Sequence, residues 1–498
     1  MKYLATFINN YNFCNFCLTE FLSVCEIYGL KNVKYNRDTF SYKINKEPYI
    51  EINFDGIENT EICKKLIDRA ALLKSILKIY GEGETIEEVL SNIEKNNVNE
   101  MKKEQESLQS FRFDIDFRGL SEKRKVQLDM INKFDKFPMK AKVDIKNAER
   151  IFVIFRNVVE NQKTKKIIST KYYFGKLISG KDDKELRFYS KYDLINRKYI
   201  GPTSTDHVLS FLMANFAQIK EGQMVIDPFV GTGSLLIPPS IYNAICFGCD
   251  LDVRVLRGYS VGYTRKSEED KTPEKRKGNI FSNFDDYNLE RPQIIRQDIN
   301  NSGFRKKNYL FDAIVCDPPY GWRAAVRKTG LSETKKEKRE KRLEIKKNKK
   351  KKNRDKDEIK NEEAQKDNKD ENNNNEICED NIDNDNELNT GENNNNLEKE
   401  ELDYNYCDID GEIRMFLPTS HCSVNNIFDG LIKFAENNLK VGGFLVCLFP
   451  VKKEREEEDL VHQPINFPRP PQFKLMSACE NVNSKLRSRW CLVYKRIE

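Results

Sequence analysis

Residues 225–234 read Val-Ile-Asp-Pro-Phe-Val-Gly-Thr-Gly-Ser, and residues 314–320 read Ile-Val-Cys-Asp-Pro-Pro-Tyr. Each stretch begins with apolar residues, several of them β-branched, and then ends abruptly in an acid and a turn. That pattern is typical of a buried strand in a parallel α/β sheet, which binds ligands beyond the carboxyl ends of its strands. We therefore expect Asp227 and Asp317 to lie at the ligand-binding edge of one such sheet.

Two glycines follow the first acid. Gly231 and Gly233 lack a Cβ atom, so the backbone there can turn tightly and approach a ligand closely. The helix that follows offers free N–H groups at the same place. A phosphate-binding loop is excluded because no Gly-Lys-Ser/Thr follows, and the third glycine of the dinucleotide fingerprint is also absent. Gly-Thr-Gly alone would equally predict an ordinary turn. The second stretch contains an acid, two prolines and a tyrosine, which together form a stiff pocket for a planar group. The two stretches together therefore favour a cofactor site beside a substrate site.

The composition bounds the kind of protein. The 498 residues leave room for two domains and additional sequence, and 85 basic against 79 acidic residues give a net charge of +6, which is compatible with nucleic acid without requiring it. Thirteen cysteines, an odd number, favour free thiols in a reducing compartment. The first residues become polar too soon for a signal peptide, and no apolar run approaches the roughly 18 residues of a membrane helix. We expect a soluble cytoplasmic protein that does not interact with membranes.

Two cysteine pairs each have the spacing of half a zinc site, Cys14 with Cys17 and Cys246 with Cys249. The second pair lies in a strand-like apolar segment, where cysteine behaves as a small apolar residue. Only three histidines are present and nothing in the pattern brings the pairs together. We expect all four thiols to pack in the core and the chain to hold no metal.

The two opening stretches resemble the cofactor motif and the Asp-Pro-Pro-Tyr motif of S-adenosylmethionine-dependent amino-methyltransferases. With residues 197–204 and 211–215, and with the arginines and glycine that trail the second motif to residue 330, they resemble one eukaryotic family. This is the THUMP-domain tRNA (guanine-10-N2)-methyltransferase, the catalytic subunit of a two-protein enzyme. The resemblance covers most of the chain apart from one long insertion.

The resemblance implies an α/β fold of the class I S-adenosylmethionine-dependent methyltransferases, a doubly wound seven-stranded sheet, in residues 198–498. An α+β THUMP-like RNA-binding region would occupy residues 1–197, where strand-like and helix-like segments alternate. Residues 331–403 are first basic and then rich in Asn, Asp and Glu, so we expect a disordered insertion.

Local patterns predict several elements. The apolar residues of 62–80 predict one helix, and Thr203 with Asp206 predicts a capping box in which Thr203 caps the next helix. The last segment, residues 489–494, is typical of an edge strand that closes the sheet in a hairpin. Pro238 and Pro239 fall inside the helix after the glycine turn, which leaves its length and direction in doubt.

Candidate RNA contacts in the first region combine aromatic rings and cations, a mixture suited to structured RNA. They are Phe111, Arg112, Phe113, Arg118, Arg124 and Lys125. A strand with a solvated charged face explains each of them equally well, so both interpretations stay open.

The cofactor site would be built from the turn and from the ends of two neighbouring strands. The turn contributes Asp227, Pro228, Gly231 and Gly233. By resemblance, Asp250 at the tip of the second strand accepts hydrogen bonds from two ribose hydroxyls, whereas Asp252 caps the next helix. Asp298 would contact the adenine amino group by resemblance, although it could equally be a turn residue.

The catalytic residues would be Asp317, Pro318, Pro319 and Tyr320. An exocyclic amine is a poor nucleophile because its lone pair is delocalised into the ring. The Asp317 carboxylate and the Pro318 carbonyl can each accept one amino hydrogen, which favours a pyramidal nitrogen, and Tyr320 would stack on the base. Catalysis would then depend on positioning and electrostatics, on a base that is flipped or already unstacked.

The resemblance therefore implies methylation of the N2 amine of a guanosine in tRNA, at position 10, with S-adenosylmethionine as methyl donor. It also implies two partners, tRNA and a small zinc-binding activator subunit. An alternative is an adenine-N6 methyltransferase acting on RNA or DNA, since Asp-Pro-Pro-Tyr serves adenine amines as well. A further alternative is an inactive RNA-binding assembly protein, in which loss of the acids or glycines would be expected.

Overall fold

The chain forms two compact units, Met1–Val326 with Ser423–Glu498, and Arg327–Cys422. The computed structural model describes residues 2–8, 12–36, 48–106, 108–137, 141–160, 164, 166–181, 185–258, 263–264, 278–305, 307, 309–321, 326–329, 337, 340–341, 344–345, 405–409, 412–416, 419–452, 467–484 and 487–498. In that part of the chain, no helix has both the length and the apolar character needed to cross a membrane.

The first half of the larger unit is built on an eight-stranded sheet. Its strands are β1 (Lys2–Phe7), β2 (Lys34–Tyr35), β3 (Tyr49–Asn53), β4 (Leu73–Gly83), β5 (Ser110–Arg118), β6 (Lys142–Val143), β7 (Arg150–Glu160) and β8 (Ile167–Gly180). Its helices are α1 (Cys17–Ile27), α2 (Thr60–Arg69), α3 (Ile86–Asn96), α4 (Val98–Glu106) and α5 (Arg124–Asn132). The strands lie in the order β2-β3-β1-β4-β8-β7-β5-β6. This mixture confirms the predicted α+β class of the first region.

The single helix predicted over residues 62–80 is wrong. Helix α2 ends at Arg69, and the extended backbone of Ala70 leads into β4, which pairs with β1 on one side and β8 on the other. Because a central strand is buried on both faces, its apolar residues form a nearly continuous run that helical periodicity can imitate. Pairing with two neighbours, a tertiary interaction, decides for the strand.

One of the aromatic rings considered as an RNA contact lies in the core, and the other packs against that core. Phe111 is 6% exposed. The ring of Phe113 is partly buried and packs against other phenylalanine rings, including that of Phe152. Arg118 is also buried and donates to the carbonyl of Phe7 at 2.7 Å. Base stacking is therefore the wrong interpretation for Phe111. Arg124 and Lys125, at the start of α5, are exposed.

The rest of the chain begins with a short strand and a helix and then forms a second sheet. The next strands are β9 (Tyr199–Ile200), β10 (Met224–Asp227), β11 (Ile245–Asp250), β12 (Tyr263–Thr264), β13 (Gln293–Arg296) and β14 (Phe311–Cys316). The helices among them are α6 (His207–Phe216), α7 (Ile237–Ile241), α8 (Val253–Arg257) and α9 (Ile280–Asp286). The smaller unit contains β15 (Arg327–Thr329), β16 (Asn405–Ile409), β17 (Glu412–Phe416) and β18 (Thr419–His421). The larger unit then ends with α10 (Val424–Asn438), β19 (Leu439–Lys452), β20 (Phe473–Ser484) and β21 (Arg487–Arg496).

The second sheet has seven strands in the order β13-β11-β10-β14-β19-β21-β20. The first five are parallel, and β21 and β20 follow as antiparallel strands. Since β11 and β14 flank β10 on opposite sides, the strand order reverses at β10, which is where doubly wound sheets bind ligands. The predicted doubly wound, seven-stranded fold of the class I methyltransferases is confirmed.

The structure corrects the predicted edge strand and the predicted cap of α6 in the part of the chain that forms the second sheet, and it shows where the two prolines lie. Strand β21 is not at the edge, because it lies between β19 and β20 and pairs with both. Helix α6 is capped by Asp206, whose Oδ1 accepts from the Leu209 N–H at 3.0 Å, and not by Thr203. Pro238 and Pro239 lie in the first turn of the short α7, where a missing N–H costs no helical hydrogen bond.

The smaller unit contains two antiparallel pairs, β15 with β18 and β16 with β17. Residues 331–403, the predicted disordered insertion, lie outside the described residues except for isolated positions between 337 and 345. Arg323 and Gly330, two residues of the family resemblance, also lie outside them.

The elements of the two sheets meet around a buried carboxylate. Glu20 of α1 is fully buried and accepts from the backbone N–H groups of Ala71 and Leu72 at 2.6 and 2.8 Å, and from Asn215 Nδ2 of α6 at 2.8 Å. Burial raises the pKa of Glu20, although these donors oppose the shift. The guanidinium of Arg69 lies 3.2 Å from the centre of the Tyr242 ring. These contacts fix the first region to the helix that leads into the second sheet.

Candidate active site

Three carboxylates from different strands lie at the carboxyl edge of the second sheet. Asp227, the last residue of β10, is 1% exposed, and its Oδ1 accepts from the Phe229 N–H at 2.9 Å. Burial raises the pKa of Asp227 well above its usual value, and the charges of Asp250 and Asp317 raise it further. Asp227 therefore lies in a region of low polarity, close enough to Asp250 and Asp317 for their charges to act on it.

The glycine turn connects the first of these acids to the second. Gly231 has a φ of +50°, and its N–H donates to Asp250 Oδ2 at 2.9 Å. Gly233 has a φ of +86°, and a Cβ there would lie 3.0 Å from the Phe284 ring and 3.1 Å from Ile280. Gly233 is therefore required by close packing against α9, whereas a Cβ on Gly231 would meet nothing nearer than 3.9 Å. Among the residues that the structure describes, none fills the space beside Gly231. Pro228, at the start of the turn, is buried.

The two carboxylate oxygens of Asp250, the last residue of β11, accept hydrogen bonds from two different turns. Oδ2 accepts from Gly231 and Oδ1 accepts from the Asp252 N–H at 2.8 Å. Each oxygen keeps a lone pair for another donor. Burial raises the pKa of Asp250 to about 6, while these backbone hydrogen bonds oppose the shift. Asp252 caps α8 as predicted, since its Oδ1 accepts from the Arg254 N–H at 3.0 Å.

The segment after β13 brings Asp298 to the same edge. Asp298 is 6% exposed, and its Oδ1 accepts from the Asn300 N–H at 2.9 Å, so the carboxylate is held within its own turn. The preceding residue, Gln297, donates its backbone N–H to the Asp250 carbonyl at 3.0 Å. Its side-chain Nε2 is buried and has no hydrogen-bond partner among the described residues. Gln297 was not predicted from the sequence. Its position directly before Asp298, a predicted site residue, was the signal that could have identified it.

Asp317 follows β14 directly, and its side chain is 14% exposed. Its Oδ2 accepts from Thr205 Oγ1 at 3.2 Å and from Arg489 Nη1 at 3.0 Å. Burial raises the pKa of Asp317, and the positive charge of Arg489 opposes the shift. Sequence reasoning missed both partners. Thr205 lies within the predicted capping box, but no local pattern marks Arg489.

The other oxygen of Asp317 is bound by its own motif. The hydroxyl of Tyr320 donates to Asp317 Oδ1 and lies 3.2 Å from the Leu448 carbonyl oxygen. Burial and the neighbouring carboxylate raise the pKa of Tyr320 well above its usual value, so the hydroxyl keeps its proton. Pro318 is buried and Pro319 is half-buried between them. The structure therefore brings the four residues of the Asp-Pro-Pro-Tyr motif together around one carboxylate.

The segment before α6 contacts the side chains of the glycine turn. Arg197 is 2% exposed and donates to Ser234 Oγ and to the Tyr192 carbonyl, at 2.5 and 3.1 Å. Ser204 Oγ lies 2.7 Å from Thr232 Oγ1 and accepts from the Gly201 N–H at 2.9 Å. Both ends of residues 197–204 thus contact the turn, which gives this part of the family resemblance a structural reason.

The cysteines of the two candidate zinc half-sites are buried free thiols. Cys17 and Cys246 belong to the apolar core, and their Sγ atoms donate to backbone carbonyls, Cys17 to Phe13 and Cys246 to Leu236 and Ala244. Burial raises the pKa of Cys17 well above its usual value and that of Cys246 to about 12, so both stay protonated. A protonated thiol packed in this way is a core residue, as expected from the sequence.

Comparison with known proteins gives one matching family and several relatives. The family described as Tmrp11 THUMP N-terminal domain matches residues 1–182. The tRNA (guanine(10)-N(2))-methyltransferase TRMT11 of Dictyostelium discoideum is 30% identical over 353 residues, which are 67% of this chain and 65% of that protein. The proteins of the same name from Xenopus laevis and Homo sapiens are 26% and 31% identical, over 97% and 55% of this chain. The match spans 83% of the Xenopus protein, but just under two thirds of the Dictyostelium protein and 58% of the human one.

Solved structures also show similarity. TrmN from Thermus thermophilus matches over 100% of both chains at 12% identity, with a TM-score of 0.38. A possible methylase from Clostridium difficile 630 matches 65% of this chain and 81% of its own at 11% identity, with a TM-score of 0.33.

Proposed function

We propose that this chain, which belongs to the family of THUMP-domain tRNA (guanine(10)-N2)-methyltransferases, transfers a methyl group to the exocyclic N2 amine of guanosine 10 in tRNA. One observation carries the proposal. Asp227, Asp250 and Asp317 lie on one edge of the sheet, around a glycine turn with open space beside it. An inactive assembly protein would not need to keep these buried acids, because each costs desolvation free energy.

The residues of the turn fit S-adenosylmethionine, which when bound supplies a methyl group on a positively charged sulfur. Asp250 has unused lone pairs on both oxygens for two ribose hydroxyls. The unpartnered Nε2 of Gln297 and the carboxylate of Asp298 are candidates for the base end of the same ligand. Asp227, Pro228, Gly231 and Gly233 shape the turn. Ionised Asp250 and Asp317 would give this edge a negative charge that favours a cation.

The substrate amine would be bound by the second motif. The Asp317 carboxylate and the Pro318 carbonyl each accept one amino hydrogen, which leaves the nitrogen lone pair free to point at the methyl group. Tyr320 and Pro319 would hold the base in position. In the free protein the Tyr320 hydroxyl already donates to Asp317 Oδ1. A carboxylate oxygen can accept two hydrogen bonds, so Oδ1 keeps a lone pair for the amine beside this hydroxyl, and the ring of Tyr320 would pack on the base.

Residues 1–197 would bind the tRNA and residues 198–498 would carry the reaction, with residues 331–403 as an insertion into the second part. The match of residues 1–182 to a THUMP domain supports the first assignment. The first region is fixed to α6 through Glu20 and Asn215, so bound tRNA would be held at a constant distance from Asp317. The exposed Arg124 and Lys125 remain candidates for phosphate contacts.

A small zinc-binding activator subunit would be the second partner, and the enzyme would act in the cytoplasm. The outer strands of the second sheet carry exposed apolar side chains that a partner could cover, Ile295 on β13 and Met476 and Val482 on β20. Exposed apolar side chains on an edge strand are unfavourable without a partner. The cysteines that the structure describes as free fit a reducing compartment.

The direct test is methyl transfer from labelled S-adenosylmethionine to unmodified tRNA by the full chain with its activator subunit. The wild type is compared with Asp317→Ala, and the methylated nucleoside is identified by its mass. We expect N2-methylguanosine at position 10, and its disappearance in the variant while S-adenosylmethionine still binds.

Formation of N6-methyladenosine instead would mean that the amine chemistry is right and the base is wrong. If the complex binds S-adenosylmethionine and tRNA but transfers no methyl group to either base, the protein is a binding protein and the proposal is wrong.

A further inference from the structure

The carboxylate of Asp317 is held by side chains that come from distant parts of the chain. Thr205 Oγ1 and Arg489 Nη1 both donate to the same oxygen, Oδ2, at 3.2 and 3.0 Å. Thr205 precedes α6 and is 5% exposed, whereas Arg489 belongs to β21 and its side chain is 17% exposed. Two donors on one oxygen fix the plane of the carboxylate as well as its position.

Arg489 is itself held in place. It lies opposite Asn481 in the register of β21 and β20, and its Nη2 donates to Asn481 Oδ1 at 3.2 Å. Asn481 is 6% exposed. The Nε of Arg489 is buried and has no hydrogen-bond partner among the described residues, so the guanidinium is nearly enclosed. A cation enclosed in this way needs a fixed anionic partner, and the anion it has is the carboxylate of Asp317.

The two oxygens of Asp317 therefore have different environments. Oδ2 is bound by groups on β21 and on the segment before α6, whose positions the fold determines. Oδ1 is bound by the hydroxyl of Tyr320, a neighbour within the motif. Because Oδ2 already has two donors and Oδ1 has one, the lone pair available to an incoming amine is on Oδ1.

We propose that Arg489, together with Thr205, is a positioning residue that holds Asp317 by Oδ2 and so presents Oδ1 to the amine of the substrate. The inference rests on the proposed function and extends it to residues outside the motif. Arg489 does not touch the substrate in this arrangement. The same cation favours the ionised form of the carboxylate, since burial raises the pKa of Asp317 and the charge of Arg489 opposes that shift.

The test replaces Arg489 in the full chain with its activator and measures methyl transfer against pH. Arg489→Gln removes the charge, and Arg489→Lys keeps the charge without the planar guanidinium. Lys433→Gln removes a charge from an exposed position on α10 as a matched control. We expect Arg489→Gln to lower kcat about ten- to a hundredfold, as misplacement of a reacting group does, with the KM for S-adenosylmethionine unchanged. Arg489→Lys should recover part of the loss, and Lys433→Gln should match the wild type.

The pH profile separates positioning from a merely structural role. The ionised form of Asp317 is the active one, so the rate falls as the pH drops through its pKa. Without Arg489 that pKa rises further, and the acid limb of the kcat profile should move to higher pH. Thr205→Val, which removes one hydroxyl, should lower kcat about fivefold and serves as the second variant if Arg489→Gln folds poorly.

A double-mutant cycle measures the contact without measuring activity. Urea unfolding of Arg489→Gln, Asp317→Asn and the double variant should show a coupling of the two side chains. Wild-type kcat and an unmoved acid limb in Arg489→Gln, with transfer intact, would overturn the inference alone. Absence of transfer by the wild type, despite a measurable coupling, would overturn the proposed function and the inference with it.

Discussion

The proposed cofactor edge, with Asp227 and Asp250, and the proposed catalytic carboxylate of Asp317 are held in different ways. Asp227 and Asp250 accept mainly from backbone N–H groups of the adjoining turns, those of Phe229, Gly231 and Asp252. Asp317 accepts from side chains, and two of its partners lie 112 and 172 residues away along the chain. Both regions bury acids and raise their pKa values, so the difference is in what fixes the acids and not in how deeply they lie.

This difference should affect cofactor binding and methyl transfer, the two steps of the proposed reaction, in different ways. A turn that supplies its own N–H donors is fixed as soon as the local backbone folds, which suits a site that binds the same cofactor in many proteins. A carboxylate held from β21 and from the segment before α6 is fixed only when the sheet is complete. Cofactor binding and methyl transfer should therefore respond to different substitutions.

The largest effect is expected from Asp317→Asn. Loss of the charge that stabilises the reacting amine should lower the rate of methyl transfer about a hundred- to a thousandfold. The affinity for S-adenosylmethionine should change less than about twofold, because the cofactor edge keeps its own donors. Single-turnover transfer and calorimetric binding measure the two quantities, with Asp429→Asn on the exposed face of α10 as the charge-matched control. A parallel loss of cofactor affinity would mean that the two regions are not separable.

A smaller effect is expected from packing at the glycine turn. Gly233→Ala and Gly222→Ala both place a side chain at positive φ, +86° and +75°, but only the Cβ at 233 meets neighbours, within 3.0 Å. The free energy of unfolding should fall by about 1 kcal/mol for Gly222→Ala and by about 2–3 kcal/mol for Gly233→Ala, where overpacking is added. Urea unfolding of the full chain measures both. Equal losses would show that only backbone conformation, and not contact with α9, requires glycine at 233.

The affinity for S-adenosylmethionine should fall about tenfold when the pH is lowered from 7 to 5. The pKa of Asp250 is about 6 in the folded protein, and only the ionised carboxylate can accept from both turns and from two ribose hydroxyls. Affinity for S-adenosylmethionine should therefore be constant above this value and fall about tenfold per unit below it. Calorimetry between pH 7 and pH 5 measures the slope.

Asp250→Asn is the control for that slope. The variant should bind more weakly at every pH and lose the dependence, while Asp227 and Asp317, whose pKa values are also raised, remain in place. A slope that survives unchanged in Asp250→Asn would belong to those two acids and would contradict the prediction.

The smallest effects should come from two adjacent residues that serve the two regions separately. Ser204 contacts Thr232 of the glycine turn, whereas Thr205 contacts Asp317. Ser204→Ala should raise the KM for S-adenosylmethionine a few-fold, and Thr205→Val should lower kcat a few-fold, each from the loss of about 1 kcal/mol. Steady-state kinetics on both variants measure kcat and the KM for S-adenosylmethionine. If each variant changed both constants alike, the two regions would act as one.

The local sequence pattern predicts the class of fold and the strand ends around which the proposed cofactor edge is built. Alternation of apolar strands with turns predicted strand ends at Asp227 and beside Asp317, and the glycines marked the turn. These features are local, because the apolar pattern of a strand, a positive φ and a backbone N–H donor each depend on neighbours along the chain. The helix cap at Asp252 could be predicted for the same reason.

Only the tertiary structure decided how residues far apart in the chain are paired. Residues 73–80 form a strand because β1 and β8 pair with it, although their apolar pattern fits a helix as well. Phe111 is a core residue and Phe113 packs against the core, because other phenylalanine rings contact both. Arg489 reaches Asp317 because β21 inserts between β19 and β20, a position that a closing hairpin does not reveal in sequence. Contacts of this kind depend on which strands become neighbours, and that choice is made by the packing of the whole sheet.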